Sequence, residues 1–278
     1  MSASVTSITE TKPPFPFAGA DATPKEVHRK FDLLLLCVAG FAAGMLNSVA
    51  GGGTFLSLPA LIYVGVPPVS ANATATFAAL PGYLSSAWGF RHDMRAEGAL
   101  SLSVIGVIGT IGAIFGALLL IATPGKAFLW VVPWLLLLAT AIFALGPTLP
   151  KFVQSWGVGA AGPMGSAIAL LAVSIYGGFF NGGLGIMLLA TLGMIGYKNL
   201  HGMNGLKNVL SALLSLVSAL AFVIAGLIAW EQALIMAVCS TIGGYIGARL
   251  SRQIVRTDLL RHFVTAIGAL MALVFFLK

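Results

Sequence analysis

Two glycine-rich stretches interrupt apolar segments and carry groups that could bind a solute. The first is NSVAGGGT, residues 47–54, and the second is NGGLG, residues 181–185. Glycine permits a sharp turn and lets a ligand approach the backbone closely. A helix that begins after such a turn has unpaired N–H groups and a partial positive charge at its N-terminus, which favour an anion. The candidate anion ligands in the two stretches are Asn47, Gly51, Gly52, Gly53, Thr54, Asn181, Gly183 and Gly185.

A stripe of polar side chains follows each stretch on the next predicted helix. In the second half, the spacing of i, i+3, i+4 and i+7 puts one set on a single helix face: Asn204, Lys207, Asn208, Ser211, Ser215 and Ser218. The equivalent stripe of the first half holds Asn72, Thr76, Tyr83 and Ser86.

Lys207 is the charged member of these stripes. Its polar neighbours predict that it faces the bundle, and all eight carboxylates of the chain lie in the tail, in loops or at span ends. A buried cation without an acidic partner indicates an anionic ligand. Two alternatives stay open: a lysine that snorkels to the membrane surface, and serines that only join helices.

The elements that would position these residues are membrane helices. Hydrophobic residues make up 58% of the 278 positions and charged residues 8%, with a mean hydropathy of +0.99. A soluble domain carries about a quarter charged residues. Six apolar runs are long enough to span a bilayer: 70–90, 98–121, 126–146, 201–229, 232–250 and 259–277.

Two longer apolar regions, 31–66 and 163–198, contain the glycine-rich stretches. Each is predicted to form two short helices joined by a polar elbow. The elbows should point inward, because lipid cannot hydrogen-bond the backbone groups that a broken helix sets free.

The two halves of the chain resemble one another at a shift of 132 positions, which aligns Gly51 with Gly183, Gly53 with Gly185, Asn72 with Asn204 and Gly112 with Gly244. The apolar runs predict an all-α, polytopic membrane protein, and the similarity of the halves predicts an internal duplication. Three full crossings in each half would turn the second half upside down relative to the first, which gives two inverted-topology repeats. Each repeat would be a broken helical hairpin plus three transmembrane helices. The expected divisions are a polar tail (1–30), the first repeat (31–150), a loop (151–162) and the second repeat (163–278).

Lysine and arginine residues in short loops predict the orientation. If each broken hairpin returns to its own side, one face carries most of them and is expected to be cytoplasmic: Arg91, Arg95, Lys151, Lys198, Arg249, Arg252, Arg256 and Arg261. Lys126, Glu231, the loop 66–69 and both termini would lie on the other face. The expected localisation is the cell inner membrane, with several crossings and non-cytoplasmic termini.

Other chemistry finds little support in the sequence. The net charge of +7 is not arranged as a basic face with aromatics, which argues against nucleic acid. The glycine run lacks the lysine of a phosphate-binding loop, the four histidines lack metal-ligand spacing, and no catalytic triad lies at membrane depth. We expect no enzyme activity, catalytic residue, metal or cofactor. The expected partners are a small anion and the lipid bilayer, and a homo-oligomer is left open.

The motifs NSVAGGGTFLSLPALIYVGVPPVSANATAT and YGGFFNGGLGIMLLATLGMIGYKNLHGMNGLKN resemble the sulfite exporter TauE/SafE family, also called the toluenesulfonate uptake permease family. The likeness extends over nearly the whole chain from residue 31. It implies movement of sulfite, sulfonates and related sulfur-containing anions without ATP, in bacterial inner membranes and some eukaryotic ones. Asn181 departs from the small residue expected in relatives, and could add a ligand group or only a hydrogen bond.

The predicted function is secondary transport of a small sulfur-containing anion such as sulfite, an organosulfonate or a similar oxyanion. The two elbows would form a midplane site together with stripe residues: Asn72, Thr76, Asn204, Lys207 and Asn208. A passive anion channel and a membrane scaffold or assembly factor without transport activity are the alternatives.

Overall fold

Ten α-helices make up the described part of the chain. The computed structural model describes residues 24–94, 99–145, 162–197, 199–251 and 257–277, and contains no strand in those ranges. The helices are α1 (Pro24–Val49), α2 (Thr54–Tyr63), α3 (Pro68–Gly89), α4 (Leu102–Ala122), α5 (Gly125–Leu145), α6 (Gly162–Phe179), α7 (Leu184–Ile195), α8 (Leu200–Ile224), α9 (Trp230–Leu250) and α10 (Thr257–Phe276). The predicted all-α class is confirmed.

Six helices in the described ranges are long and apolar enough to cross a membrane: His28–Val49, Leu102–Ala122, Gly125–Ile142, Gly162–Phe179, His201–Ile224 and Trp230–Leu250. The prediction of a polytopic membrane protein is confirmed, but these six helices are not the same six segments that the sequence predicted as spans. The helix α3 has the length of a span and is too polar to be counted, because its buried face carries asparagine, threonine and serine. In α10 the apolar stretch counted is the shorter Thr265–Phe276.

Both long apolar regions are interrupted at the predicted stretches. The first break separates Val49 from Thr54, and the second separates Phe179 from Leu184. The prediction of two short helices in each region is wrong for the first arms, since α1 has 26 residues and α6 has 18. Only α2, with 10 residues, and α7, with 12, are short. The helix α1 begins at Pro24, inside the stretch predicted as a polar tail.

An aromatic contact shows that α1 and α2 form a hairpin, and an ion pair places the start of α9 at the same end. Phe31, near the start of α1, packs edge-to-face on Tyr63 at the end of α2, with ring centroids 6.4 Å apart. Arg29 pairs with Glu231 at the start of α9, at 3.5 Å. The beginnings of α1 and α9 and the end of α2 therefore lie at one end of the bundle.

The opposite end of the bundle gathers the loop after α3 and the connection between α7 and α8. Phe90 stacks on His201, with ring centroids 6.5 Å apart, and the N–H of Ala99 donates to the carbonyl of Ile195 at 2.9 Å. Arg91 belongs to this end. Several residues of the orientation argument lie outside the described residues: the tail 1–23, Arg95, Lys151, Lys198, Arg252 and Arg256. Which end is cytoplasmic stays a prediction.

The two halves of the chain, α1–α5 and α6–α10, make equivalent helix contacts, in which helices of one half pack on helices of the other. The helix α1 packs on α2, α3 and α9, and α6 packs on α7, α8 and α4. The helices α3 and α8 pack on each other, as do α5 and α10. The first arm of each half therefore lies against the fourth helix of the other half, which interlocks the two halves. An internal duplication would produce this exchanged packing, and both the duplication and the inverted orientation stay predictions.

Small residues let the exchanged helices approach closely. A Cβ atom added at Gly40 of α1 would lie 2.9 Å from the carbonyl oxygen of Met236 in α9. One added at Gly112 of α4 would lie 3.0 Å from the amide nitrogen of Ile175 in α6. Membrane helices commonly associate through such small-residue contacts.

Candidate functional site

The two helix breaks meet at Gly51 and Gly185. A Cβ atom at Gly51 would lie 2.6 Å from the amide nitrogen of Gly185, and one at Gly185 would lie 2.5 Å from the Cα atom of Gly51. Gly51 also has a φ of +82°, where a larger residue would be strained. The two stretches, each a candidate anion site in the sequence, therefore adjoin one another at the starts of α2 and α7.

Asn47 ties together the two helices of the first break. It belongs to the last turn of α1 and is buried. Its Oδ1 accepts a hydrogen bond from the N–H of Gly53 at 2.8 Å. This bond satisfies one of the donors left unpaired at the start of α2.

Lys207 of α8 points into the first break. Its side chain is 0% exposed, and its Nζ donates to the carbonyl oxygens of Asn47 at 2.9 Å and Ser48 at 3.1 Å. A third bond goes to Oδ1 of Asn204 at 3.2 Å, and the neighbouring Asn208 donates from Nδ2 to Ser48 at 3.3 Å. The snorkelling alternative is excluded, because the ammonium group lies inside the bundle. All three ammonium donors are used on protein oxygens, so Lys207 holds the end of α1.

The second break is capped by α3 in an equivalent way. Nδ2 of Asn72 donates to the carbonyl oxygen of Phe179, the last residue of α6, at 2.9 Å. Gly183, with a left-handed φ of +72°, then starts α7. Phe179 is the counterpart of Asn47 in the 132-residue shift. The same carbonyl is thus capped in each half, by an ammonium group in the first and by an amide in the second.

Asn181 links α3 to α8. Its Oδ1 accepts from the hydroxyl of Tyr83 at 3.1 Å, and its Nδ2 donates to the hydroxyl of Ser215 at 3.1 Å. Tyr83 and Ser215 occupy equivalent positions of the two polar stripes. The structure shows the hydrogen-bonding role that the sequence left open for Asn181, and the ligand role stays a prediction.

The polar stripes of α3 and α8 face the interior as expected. Their buried members are Asn72, Thr76, Tyr83, Ser86, Lys207, Asn208, Ser211, Ser215 and Ser218. Asn204 is half-buried. Ser86 joins α3 to α9 through the carbonyl of Gly244 at 3.1 Å, which is the helix-joining role left open for the serines. Thr76 donates to Asn72 of its own helix at 3.0 Å.

Several polar groups around the breaks find no partner among the described residues. Four of them are amides at the starts of α2 and α7, those of Gly52, Thr54, Gly183 and Gly185. Three are buried side-chain atoms on the stripes, Asn72 Oδ1, Asn208 Oδ1 and Ser211 Oγ. Buried polar groups require a hydrogen-bond partner. The region therefore offers donors and acceptors to a polar ligand or to water.

Two contacts of the breaks were missed in the sequence. The carbonyls of Asn47 and Ser48 were not expected as partners of Lys207, although a helix that ends at a glycine run leaves carbonyls free. The hydroxyl of Tyr176 donates to the carbonyl of Gly182 across the second break. No spacing in the sequence indicates this bond, since the tyrosine belongs to the preceding helix.

Known proteins resemble the chain over most of its length. The family model described as sulfite exporter TauE/SafE matches residues 36–275. The probable membrane transporter protein YfcA of Escherichia coli (strain K12) is 29% identical over 250 residues, which cover 86% of this chain and 88% of that protein. The probable membrane transporter protein ORF9 of Sinorhizobium sp is 28% identical over 225 residues, covering 78% and 82%. No solved structure gives a significant match.

Proposed function

Because the chain belongs to the TauE/SafE sulfite exporter family and is a membrane transporter of that family, we propose that it carries out secondary transport of a small sulfur-containing anion. Sulfite, an organosulfonate or a similar oxyanion is the proposed solute. The resemblance seen in the sequence motifs is confirmed by the family match over residues 36–275.

The observation that carries the proposal is the meeting of the helix breaks at Gly51 and Gly185. Gly51 lies three residues before α2 and Gly185 lies in the first turn of α7, so the contact joins the chain segments at the two helix N-termini, each of which bears a partial positive charge. Free N–H groups at a helix N-terminus bind anions without a charged side chain. No aspartate or glutamate is buried among the residues whose side chains the structure describes, so none of those carboxylates competes with a bound anion.

The proposed ligands of the anion are four of the amides that lack an acceptor among the described residues, those of Gly52, Thr54, Gly183 and Gly185. The other predicted site residues would position these amides or contribute to the electrostatic field at the anion: Asn47, Gly51, Gly53, Asn72, Thr76, Asn181, Asn204, Lys207 and Asn208. Lys207 contributes its positive charge from behind the first break, since its donors are bonded to protein oxygens.

Alternating access is the proposed mechanism. In an inverted repeat, two halves rock about a site near the membrane midplane and open it to one side at a time. The exchanged packing of α1 on α9 and α6 on α4 supports two equivalent halves, with residues 31–150 and 163–278 as the proposed repeats. The inner membrane, with both termini outside the cytoplasm, is the proposed setting.

Counterflow in proteoliposomes tests this function. A thermal-shift screen with sulfite, thiosulfate, sulfate, taurine, sulfoacetate and carboxylates first selects the solute. Vesicles loaded with that solute should then take up its labelled form transiently against a gradient. A channel would show flux without counterflow, and a scaffold would show no flux, so either result would contradict the proposal.

A pair of glycine variants makes the test specific for the breaks. Gly52→Val should abolish counterflow, because a side chain at this buried position blocks the approach to the backbone. Gly125→Val is the matched control, since a Cβ atom at Gly125 meets nothing within 4 Å. Equal transport by folded Gly52→Val and Gly125→Val proteins would remove the first break from the site.

A further inference from the structure

Three neutral oxygens surround the Lys207 ammonium at the first helix break. They are the carbonyl oxygens of Asn47 and Ser48 and the Oδ1 atom of Asn204, at 2.9, 3.1 and 3.2 Å from Nζ. We call this group the three-oxygen site. Carbonyl oxygens are the ligands that hard cations prefer. In transporters with broken helices, unwound carbonyls and half-helix C-termini commonly coordinate sodium ions.

The end of α1 provides a favourable field for a cation. Asn47 and Ser48 lie in the last turn of α1, where carbonyls have no intrahelical donor and the helix dipole leaves a partial negative charge. No carboxylate is buried among the side chains that the structure describes, so the helix end takes the place of an acidic partner. The ammonium group supplies the hydrogen-bond donors that these carbonyls lack within the helix, and the carbonyls offset the free-energy cost of burying its charge.

The second break shows what the same position looks like without a cation. There the carbonyl of Phe179 accepts from the neutral amide of Asn72. The counterpart of Lys207 in the 132-residue shift is Ala75, a buried residue with no polar side-chain atom. The cation is therefore a particular feature of the first break.

We propose that Lys207 is a tethered cation, which fills at the end of α1 the place that a bound sodium ion takes in other broken-helix transporters. The first break then keeps its shape without a free cation. The inference rests on the proposed function only in its consequence for transport, which is that solute movement requires no sodium ion at this site.

Cation-dependent stability of purified, full-length protein tests this assignment without any solute. Melting temperatures are measured in sodium chloride and in choline chloride at equal concentration, for the parent, Lys207→Ala, Lys207→Met and Asn72→Ala. Alanine leaves room for a sodium ion beside the three-oxygen site, whereas methionine fills that room with an apolar chain. Asn72→Ala removes the neutral cap of the second break and serves as the matched control.

The parent is expected to melt at the same temperature in both salts. Lys207→Ala should melt several degrees lower than the parent in choline and recover most of that loss in sodium. Lys207→Met and Asn72→Ala should each melt below the parent, and for each variant the decrease in melting temperature should be the same in sodium as in choline.

Three results would overturn the tethered-cation assignment. One is a Lys207→Ala protein as stable as the parent in choline. The second is a sodium gain of the same size in Lys207→Ala and Asn72→Ala. The third is a Lys207→Ala protein that does not fold in either salt, because a free cation would then fail to replace the tethered one. None of these depends on which solute is carried, so the inference and the proposed transport function can fail separately.

Discussion

The backbone carbonyl of Asn47 accepts a hydrogen bond from the ammonium group of Lys207 at 2.9 Å, across 160 residues of chain. The side chain of the same asparagine accepts from the N–H of Gly53 at 2.8 Å. One residue of α1 therefore connects the cation of α8 to the first turn of α2. We therefore expect a displacement of Lys207 to shift the neighbouring amides of Gly52 and Thr54, which we propose as anion ligands.

Asn47→Ala should weaken both stability and solute binding. The substitution removes the cap of Gly53 and leaves the carbonyl that Lys207 holds, and loss of such a cap costs about 0.5–2 kcal/mol. The free energy of unfolding in detergent and the solute affinity check this expectation. Ser57→Ala is the control, because it removes a bond to the Gly53 carbonyl within α2 at 3.3 Å. Identical affinities of the two variants would mean that Asn47 does not position the site.

Gly185→Ala should destabilise the protein by about 1–3 kcal/mol, the usual cost of overpacking. The added Cβ atom would lie 2.5 Å from the Cα atom of Gly51 and would push the two breaks apart. Gly106→Ala in α4 meets nothing within 4 Å and should retain the stability of the parent. Thermal unfolding compares the two. Equal melting temperatures for both alanine variants would contradict the contact between the breaks.

Asn181→Ala should lower stability and transport together. It leaves the hydroxyls of Tyr83 and Ser215 without the partner they share, and an unsatisfied buried group costs about 1–3 kcal/mol. Ser85→Ala provides the comparison, since it removes a bond from α3 to the carbonyl of Thr241 at 2.8 Å, on the side of α9. We expect counterflow at the parental rate for Ser85→Ala. Parental counterflow by Asn181→Ala would show that the link between the stripes is dispensable.

Cysteine labelling should place both ends of the bundle relative to the membrane. In a protein with Cys37 and Cys239 replaced by alanine, a cysteine at Met94 or Ser251 should react only from the cytoplasm. A cysteine at Pro68 should react only from outside, as the arginine-rich loops predict. Labelling of Met94→Cys and Ser251→Cys from different sides would contradict the inverted repeat.

Glu231→Gln should leave transport nearly intact. Glu231 lies at the end of the bundle with 62% of its side chain exposed, and it pairs with Arg29 at 3.5 Å. Surface pairs of this kind contribute about 0–1 kcal/mol, and a buried acidic relay is missing among the described residues. The measurement that checks this is the initial rate of uptake in proteoliposomes, compared between Glu231→Gln and the parent. Loss of uptake by a folded Glu231→Gln protein would show that this carboxylate takes part in coupling.

Features that depend on neighbouring residues in the chain could be predicted. Long apolar runs identify membrane helices because the bilayer thickness sets their length. A glycine run inside such a helix predicts a break, and both breaks occur at the predicted stretches, residues 50–53 and 180–183. Helical periodicity also predicted that Asn208 and Ser211 face inward, since a stripe on one face must be buried together. The sequence alone thus determined the membrane class, the broken helices and the inward faces.

Features that depend on which helices become neighbours were decided by the tertiary structure. The periodicity of α8 turns Lys207 inward, but only the packing of α8 beside the first break selects the Asn47 and Ser48 carbonyls as its partners. The contact between Gly51 and Gly185 likewise needs both breaks to reach the same region. Hydropathy assigns the six long apolar helices to the membrane and distinguishes poorly among their possible neighbours, since lipid tails and apolar side chains are alike. Which helices become neighbours is determined by close glycine contacts and interhelical hydrogen bonds. These join segments that are distant in the chain, so they cannot be found from the local sequence.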